Sequence, residues 1–320
     1  MSRDDDPALA RIDPVLRVPM LPRARPLDLD HRHLARWMFR LVAFLSARGQ
    51  PRPVTAVRRR RYRLASGDGT PLALRLHRPC HATGRRLPVL LWLHGGGYVL
   101  GSATADDRLC ARLAAAAGIA VAALDYRLAP EHPCPLALQD GHAALVWLQV
   151  QADALGLDAA RFAVGGASAG GGLAAALAQW AHDRPGPKPV FQLLLYPMLD
   201  DRTESPPQPH QGEWIWGADS NRAGWAAYLG DLPRAQAPVP ARRDDLAGLP
   251  PAWIGCGMLD LFHAEDRVYA ERLRAAGVPC EWVEVAGAYH GFDISAARAA
   301  PSLDWFERQV CALRRVLHEA

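Results

Sequence analysis

The fold of this chain is decided by the stretch Phe162-Ala163-Val164-Gly165-Gly166-Ala167-Ser168-Ala169-Gly170-Gly171. Its apolar first part is typical of a buried strand, and the alanine-rich residues that follow it predict a helix. A strand that turns into a helix around G-x-S-x-G is the context of a nucleophile elbow. The glycines leave room for a tight turn, which holds the serine hydroxyl out of the sheet at the positive end of the helix. A glycine-rich packing turn is the alternative if this motif stands alone.

A second glycine-rich turn, His94-Gly95-Gly96-Gly97, follows the apolar run Leu87–Leu93 and ends 71 residues before Ser168. Three consecutive glycines offer bare backbone N–H groups to a developing oxyanion. A flexible glycine loop is the alternative. It does not explain why the turn precedes the serine by one β-α-β-α stretch.

Strands and helices alternate on both sides of these two turns. Hydrophobic patterning predicts strands at residues 60–65, 72–78, 87–93, 119–124, 161–165, 190–196, 252–256 and 281–285. Helices are predicted at residues 106–117, 136–154, 170–182, 264–276 and 302–318. This alternation predicts an α/β fold with a mostly parallel central sheet and helices on both faces.

Two segments stand apart from this alternation. Apolar residues recur at helical spacing from Leu34 to Leu45, which predicts one amphipathic helix ending near Gly49. Residues 200–250 have no clear strand and are rich in proline and aromatic residues. The two segments are candidates for a separate layer over the sheet.

An acid and a histidine complete the candidate site. Asp260 follows the predicted strand 252–256, and His290 follows the strand 281–285. Both therefore lie at carboxyl ends of parallel strands, where open α/β sheets place their sites. The order Ser168, Asp260, His290 is that of an α/β-hydrolase triad. Asp266 is the rival acid, but it falls inside the next helix.

Several classes of chemistry are disfavoured. Lys188 is the only lysine and lies in a turn, so it disfavours both a Walker A loop and a Schiff base with pyridoxal phosphate. The string Gly170-x-Gly172-x-x-Ala175 fits a dinucleotide motif but begins inside the helix, with no acid ending a strand further on. No H-E-x-x-H or comparable cluster exists, so we expect neither a metal nor a cofactor.

Partners and compartment follow from composition. The basic run Arg58–Arg61 is local, whereas a nucleic-acid reader spreads basic residues along a face, so no nucleic-acid partner is expected. No run of 18 apolar residues exists and the first residues are acidic, so neither a membrane span nor a signal peptide is expected. The six cysteines form no C-x-x-C pair. We expect a cytoplasmic chain that acts on a small molecule; assembly into a homo-oligomer is left open.

Taken together, the motifs resemble those of the bacterial hormone-sensitive lipase family of esterases and lipases. The resemblance covers about residues 60–318. It is carried by His94–Tyr98, Asp125–His132, Gly166–Gly171, Leu195–Pro197, Tyr269–Leu273 with Gly277–Pro279, and His290–Phe292. The family has an α/β-hydrolase core and a helical cap. That implies a cap segment at residues 1–55, a catalytic domain at 56–320 and a cap insertion at about 200–245.

The resemblance also assigns roles to residues. Ser168 is implied as the nucleophile, His290 as general base and acid, and Asp260 as the residue that orients the imidazole. The N–H groups of Gly96, Gly97 and Ala169 are implied as the oxyanion hole, with Gly95 shaping the loop. Two departures stand out: Ala167 replaces the usual acid before the nucleophile, and the segment from Asp260 to Glu265 lacks the family's proline and second aspartate.

We therefore predict a cofactor-independent carboxylic ester hydrolase acting through an acyl-enzyme. Acyl transfer or amide hydrolysis with the same triad is the nearer alternative, and a ligand receptor on this fold is a more distant one. Short to medium acyl chains, about C4 to C8, are expected because a cap would close the pocket. The pocket candidates are aromatic and apolar residues of the oxyanion turn and of the cap: Tyr98, Trp37, Met38, Leu41, Trp214, Trp216 and Tyr228.

Overall fold

The structure is a computed structural model and describes residues 8–18, 21, 23, 31–82, 85–203 and 209–318. Parts of the expected cap fall outside these residues: 1–7, 19–20, 22, 24–30 and, in the insertion, 204–208. Within the described residues, no helix combines the length and the apolar character needed to cross a bilayer.

The described strands form one eight-stranded sheet. Their bounds are β1 Val57–Ala65, β2 Pro71–Pro79, β3 Leu87–Leu93, β4 Ala120–Asp125, β5 Leu157–Ala167, β6 Phe191–Leu195, β7 Ala252–Gly257 and β8 Cys280–Val285. The order across the sheet is β1-β2-β4-β3-β5-β6-β7-β8. β2 pairs antiparallel with β1 and β4, and every other pair is parallel. The predicted mostly parallel sheet is confirmed.

The central strand β3 is buried at every residue, from Leu87 to Leu93. A strand covered on both faces needs apolar side chains at consecutive positions, which is the pattern that this segment has. Edge strand β1 is the opposite case, because its arginine run Arg58–Arg61 lies exposed. Charged residues on an edge discourage pairing with another chain.

Helices cover both faces of the sheet. Their bounds are α1 Arg32–Gly49, α2 Asp107–Ala117, α3 Leu136–Val150, α4 Ala152–Leu155, α5 Ala169–His182, α6 Ala218–Leu229, α7 His263–Ala275, α8 Phe292–Ser295 and α9 Ala300–His318. α2 packs on α9, and α3 packs on α5. Gln179 of α5 donates to the Tyr269 hydroxyl of α7 at 2.9 Å, which joins these two helices. The predicted helix at 136–154 is divided into α3 and α4.

The N-terminal segment packs on the loop that follows β8. Ile12 and Leu16 are buried, and the Leu16 carbonyl accepts a hydrogen bond from the Tyr289 hydroxyl at 3.0 Å. Asp13 donates its N–H to the carbonyl of Gly287 at 3.1 Å. The chain before α1 is therefore attached beside His290, although sequence analysis found no pattern there.

Helix α1 carries three of the pocket candidates on a side that is exposed, and their role in lining the pocket stays a prediction. Trp37, Met38 and Leu41 are 61%, 53% and 43% exposed. The core-facing side carries Arg36 instead, whose guanidinium donates to the carbonyls of Val99 and Ala129 and to the carboxylate of Glu131. Several strong hydrogen bonds to one guanidinium thus set the rotation of the helix.

Candidate active site

Ser168 lies at the junction of β5 and α5 with φ 56° and ψ −124°, a conformation that L-residues rarely adopt. The glycines around it are required by close backbone contacts. A Cβ on Gly166 would lie 2.4 Å from the Gly170 backbone, and one on Gly170 would lie 2.1 Å from the Leu93 carbonyl oxygen. The turn is therefore locked between β3 and β5. Strain of this kind is typical of functional sites.

The structure brings together the three residues implied as a triad. Nε2 of His290 lies 3.0 Å from Oγ of Ser168, and Nδ1 of His290 lies 2.7 Å from Oδ2 of Asp260. Ser168 and His290 are 6% and 7% exposed, and Asp260 is fully buried. A nucleophile in hydrogen-bond reach of a base, itself oriented by an acid, is the arrangement of covalent serine catalysis.

Asp260 is held by the turn that follows β7. Its other oxygen accepts the N–H of Phe262 at 3.0 Å, and its own N–H donates to the carbonyl of Gly257 at 3.0 Å. Gly257 has no room for a side chain, because a Cβ there would lie 2.4 Å from the Ala288 carbonyl oxygen. The loop after β7, which carries Asp260, is thus in backbone contact with the loop after β8, which carries His290.

The imidazole of His290 is enclosed by two aromatic rings. Tyr196 meets it edge-on at 4.9 Å between centroids, and Phe262 does so at 5.3 Å. The Tyr196 hydroxyl donates to Oδ1 of Asp293 at 2.8 Å. Burial raises the pKa of Asp293 above its ordinary value, and Tyr196 opposes that rise. These contacts leave the imidazole little freedom to rotate away from the serine.

The rival acid, Asp266, does not contact the histidine. It is fully buried in α7, where its carboxyl group lies beside the Cys256 thiol. Burial, with the nearby Glu265 and Asp260, raises its pKa well above the ordinary value. A carboxyl group with a raised pKa and no contact with the histidine is poorly suited to stabilise an imidazolium. The choice of Asp260 by position in the sequence agrees with this geometry.

The loop after β3 lies against the serine turn. A Cβ on Gly95 would lie 3.0 Å from the Ala167 carbonyl oxygen and 3.4 Å from Cβ of Ser168. Gly96 and Gly97 have φ of 124° and 60°. Within the described part of the chain, the N–H groups of Gly96, Gly97 and Ala169 donate to no protein acceptor. Unused N–H groups beside a nucleophile are what an oxyanion hole requires.

The same loop is held from behind by His94 and Tyr126. Their rings stack at 4.3 Å, and the Tyr126 hydroxyl donates to the His94 carbonyl at 2.7 Å. A Cβ on Gly101 would lie 2.3 Å from Nδ1 of His94, so this position also needs glycine. His94 is thus a packing residue of the loop.

The aromatic pocket candidates Tyr98, Trp214, Trp216 and Tyr228 are buried, unlike Trp37 of α1. Tyr98 stacks on Tyr228 at 3.9 Å and lies 5.3 Å from Trp225, and each of the three is 2% exposed. Trp214 is 4% exposed and lies under the guanidinium of Arg23 at 4.3 Å, a contact that joins the N-terminal segment to the insertion. These contacts attach α6 and its neighbours to the loop His94–Tyr98 after β3, which is called the oxyanion loop below. A role in lining the pocket stays a prediction.

Two functional candidates escaped sequence analysis. Helix α6 was not predicted, because its apolar residues follow no clear helical stripe. Glu265 was named only as the end of the segment that departs from the family's pattern. Its Oε1 accepts the N–H groups of Leu199 and Asp200 at 2.7 and 3.1 Å, and its Oε2 accepts the Thr203 hydroxyl. Burial raises its pKa to about 8. Its position on the first turn of α7, behind Asp260, was the available signal.

No group of three or more His, Cys, Asp or Glu side chains within the described ranges is arranged to hold a metal ion. Instead, Asp260 and His290 hydrogen-bond to each other, and Asp260 also accepts the backbone N–H of Phe262. The arrangement therefore provides a nucleophile, a base and a set of N–H donors.

Comparison with known families now agrees with this geometry. Residues 90–294 match the alpha/beta hydrolase fold family. The chain belongs to this family. The match spans the oxyanion loop, the serine turn, the acid loop and the histidine, so the resemblance to the hormone-sensitive lipase group and the α/β-hydrolase fold are confirmed.

Similar proteins share most of the chain. Esterase LipI of Mycobacterium tuberculosis is 38% identical over 260 residues, which cover 79% of this chain and 80% of LipI. Ethyl acetate hydrolase of Pseudomonas putida is 37% identical over 242 residues, covering 72% and 74% of the two chains. Among solved structures, a bacterial heroin esterase superposes with a TM-score of 0.86 at 34% identity, over 97% of this chain and 99% of that one.

Proposed function

We propose that this chain hydrolyses carboxylic esters through an acyl-enzyme on Ser168. His290 takes the proton from Oγ as the serine attacks the ester carbonyl carbon. The resulting tetrahedral oxyanion is stabilised by the N–H groups of Gly96, Gly97 and Ala169. Collapse of this intermediate expels the alcohol, which receives the proton from His290. Water then attacks the acyl-enzyme with His290 again as base, and the carboxylic acid leaves.

One observation carries the proposal: Oγ of Ser168 lies 3.0 Å from Nε2 of His290, whose other nitrogen is bonded to the buried Asp260. This arrangement is the requirement for a neutral serine to act as nucleophile, since the hydroxyl is weak until a base removes its proton. The glycine donors beside it explain why the attacked group is a carbonyl.

The enzyme is an ester hydrolase of the α/β-hydrolase family, because it is similar to named esterases over most of their length. The identity of the attacking residue and the covalent intermediate are the proposed part. Retention of every triad member disfavours a receptor built on this fold. Acyl transfer to an alcohol would use the same intermediate, with the alcohol replacing water.

We further propose esters of short to medium acids, about C4 to C8, as substrates. The aromatic residues Tyr98, Trp225 and Tyr228 pack on one another at the oxyanion loop, and we expect them to limit the space for the acyl chain. The Pseudomonas putida relative is named for ethyl acetate, an ester of a short acid.

The direct test of the reaction is hydrolysis of 4-nitrophenyl butyrate by the wild type and by Ser168→Ala, with equal rates contradicting the proposal.

A further inference from the structure

Gly97 of the oxyanion loop is enclosed by two residues of the segment 214–224. The indole of Trp216 lies so close that a Cβ on Gly97 would be 2.2 Å from its Cη2 atom. On the other side, a Cβ on Gly224 would lie 3.0 Å from the Gly97 carbonyl oxygen. Trp216 is 8% exposed and Gly97 is buried, so neither has free space to move into. The position of Gly97 therefore depends on where the insertion places Trp216.

Trp216 is in turn connected to the beginning of the insertion. Its indole N–H donates to Oδ1 of Asn221 over a long 3.4 Å, and Nδ2 of Asn221 donates to the carbonyl of Thr203 at 2.8 Å. Asn221 is fully buried, so its amide has few alternative partners. A buried amide that satisfies both ends fixes the separation of the groups that it joins.

Glu265 holds the other side of Thr203. One carboxylate oxygen accepts the Thr203 hydroxyl, and the second accepts the N–H groups of Leu199 and Asp200. The carboxyl group thus ties together the residues through which the chain leaves β6 and enters the insertion. Glu265 lies five positions after Asp260, so one short stretch serves both the triad and this anchor.

We propose that Glu265 is a positioning residue for the oxyanion hole, acting through Thr203, Asn221 and Trp216 on Gly97. The inference rests on the proposed function, because it concerns the same carbonyl-binding donors. Glu265 touches no reacting atom in this scheme. Its removal displaces an oxyanion donor instead of deleting one, so turnover is affected more than substrate binding.

The charges around Glu265 bear on how it is tested. Asp200 lies beside it, Asp266 is its neighbour on α7, and Arg202 faces it from the insertion. Burial raises the pKa of the Glu265 carboxyl group to about 8. Substitution by glutamine keeps an oxygen for the two backbone N–H groups and removes the ionisation. The glutamine variant therefore separates the shape of the anchor from its charge.

The test compares Glu265→Ala, Glu265→Gln and Thr203→Val with the wild type. Glu271→Ala serves as the matched control, because Glu271 lies on the exposed face of the same helix, with 63% side-chain exposure. Each variant is assayed for kcat and KM on 4-nitrophenyl butyrate. Inhibition by a short-chain trifluoromethyl ketone is measured as well, since its hemiketal places an oxyanion in the hole. A melting temperature shows whether each variant is folded.

For Glu265→Ala, kcat is expected to fall about tenfold to a hundredfold, less than the loss from deleting an oxyanion donor outright. KM changes little, and the inhibition constant of the ketone rises in proportion to the loss in kcat/KM. Thr203→Val is expected to lose less kcat, again with little change in KM and with weaker ketone inhibition. If Glu265→Ala does not fold, Thr203→Val is the variant that tests the proposal. Glu265→Gln restores most of kcat at neutral pH, whereas Glu271→Ala equals the wild type.

The inference is overturned if the folded variants keep kcat within about twofold of the Glu271→Ala control. It is also overturned if kcat falls while ketone inhibition is unchanged, because the oxyanion donors would then be in place. Failure of the proposed function has a different signature: the wild type itself would neither hydrolyse the ester nor bind the ketone.

Discussion

Nδ1 of His290 lies 2.7 Å from Oδ2 of Asp260, a carboxylate with no exposure to solvent. This short contact fixes the tautomer of the imidazole, because the proton on Nδ1 points at the acid and leaves Nε2 free to accept from Ser168. The contact joins two loops that follow neighbouring strands, β7 and β8. The parallel sheet thus brings acid and base together from positions 30 residues apart.

Replacement of Asp260 by asparagine is expected to lower kcat by about four orders of magnitude, since the amide favours the wrong tautomer of His290. KM should change little, because the shape of the site is kept. Steady-state kinetics on 4-nitrophenyl butyrate measure both. Asp266→Asn is the control, as Asp266 is equally buried but makes no hydrogen bond to a triad member within the described residues. Comparable losses in the two variants would contradict the assignment of the acid.

The serine turn should not tolerate a methyl group at Gly170. A Cβ there would lie 2.1 Å from the Leu93 carbonyl oxygen and 2.4 Å from that of His94. These backbone atoms at the end of the buried strand β3 cannot move aside, so Gly170→Ala should lose at least about 1–3 kcal/mol of stability and most of its activity. Gly67→Ala is the control, since nothing lies within 4 Å of its Cβ position. Thermal denaturation of both variants tests this, and equal melting temperatures would refute it.

Stability should fall as pH rises from about 5 to 8, in part through Glu265. Burial raises the pKa of its carboxyl group from 4.5 to about 8, so the folded state holds a proton that the unfolded state has released. Stability from this group is full below the unfolded pKa and is lost between the two values, by at most about 1.4 kcal/mol per pH unit. Denaturant unfolding at several pH values measures this slope.

Glu265→Gln is the comparison, because glutamine does not titrate. The variant should show a shallower decline over this range, with the remainder due to other buried acids such as Asp106, whose pKa is raised to about 6 by burial. If the free energies of unfolding of wild type and variant declined in parallel with pH, Glu265 would be ionised in the folded protein. That result would contradict the raised pKa of Glu265.

Acyl-chain preference is tested with 4-nitrophenyl esters from C2 to C16. Each methylene buried in the pocket contributes roughly 0.8 kcal/mol, so kcat/KM should rise at first with chain length. It should then fall beyond about C8, where the packed aromatic residues leave no more room. A steady climb to C16 with activation at an emulsion surface would identify a lipase instead.

Sequence patterns predicted the core of this molecule well. All eight strands lie where alternation and apolar runs placed them, because burial on both faces of a sheet imposes a strong local pattern. Ser168 was identified from the G-x-S-x-G motif, and Asp260 and His290 from their places after two strands and from their order in the chain. In a parallel sheet, the carboxyl ends of neighbouring strands meet, so chain position determines spatial position.

The segments expected to form a cap were predicted less well, for a physical reason. Helical spacing shows that α1 has an apolar side, but not which surface is available to cover it. Arg36 decides the rotation through hydrogen bonds to Val99 and Ala129, contacts between segments far apart in the chain. The Glu265 anchor was missed for the same reason, because its partners Leu199, Asp200 and Thr203 lie more than 60 residues away.

The central claim is that Ser168 is the nucleophile, and active-site labelling tests it most directly. Wild-type protein is treated with a fluorophosphonate and digested, and the modified peptide is identified by mass spectrometry. We predict one phosphonylated residue, Ser168, with loss of esterase activity in proportion to labelling. Ser168→Ala should be neither labelled nor active, apart from a residual rate several orders of magnitude lower. Labelling at another residue, or hydrolysis by Ser168→Ala at the wild-type rate, would contradict the account.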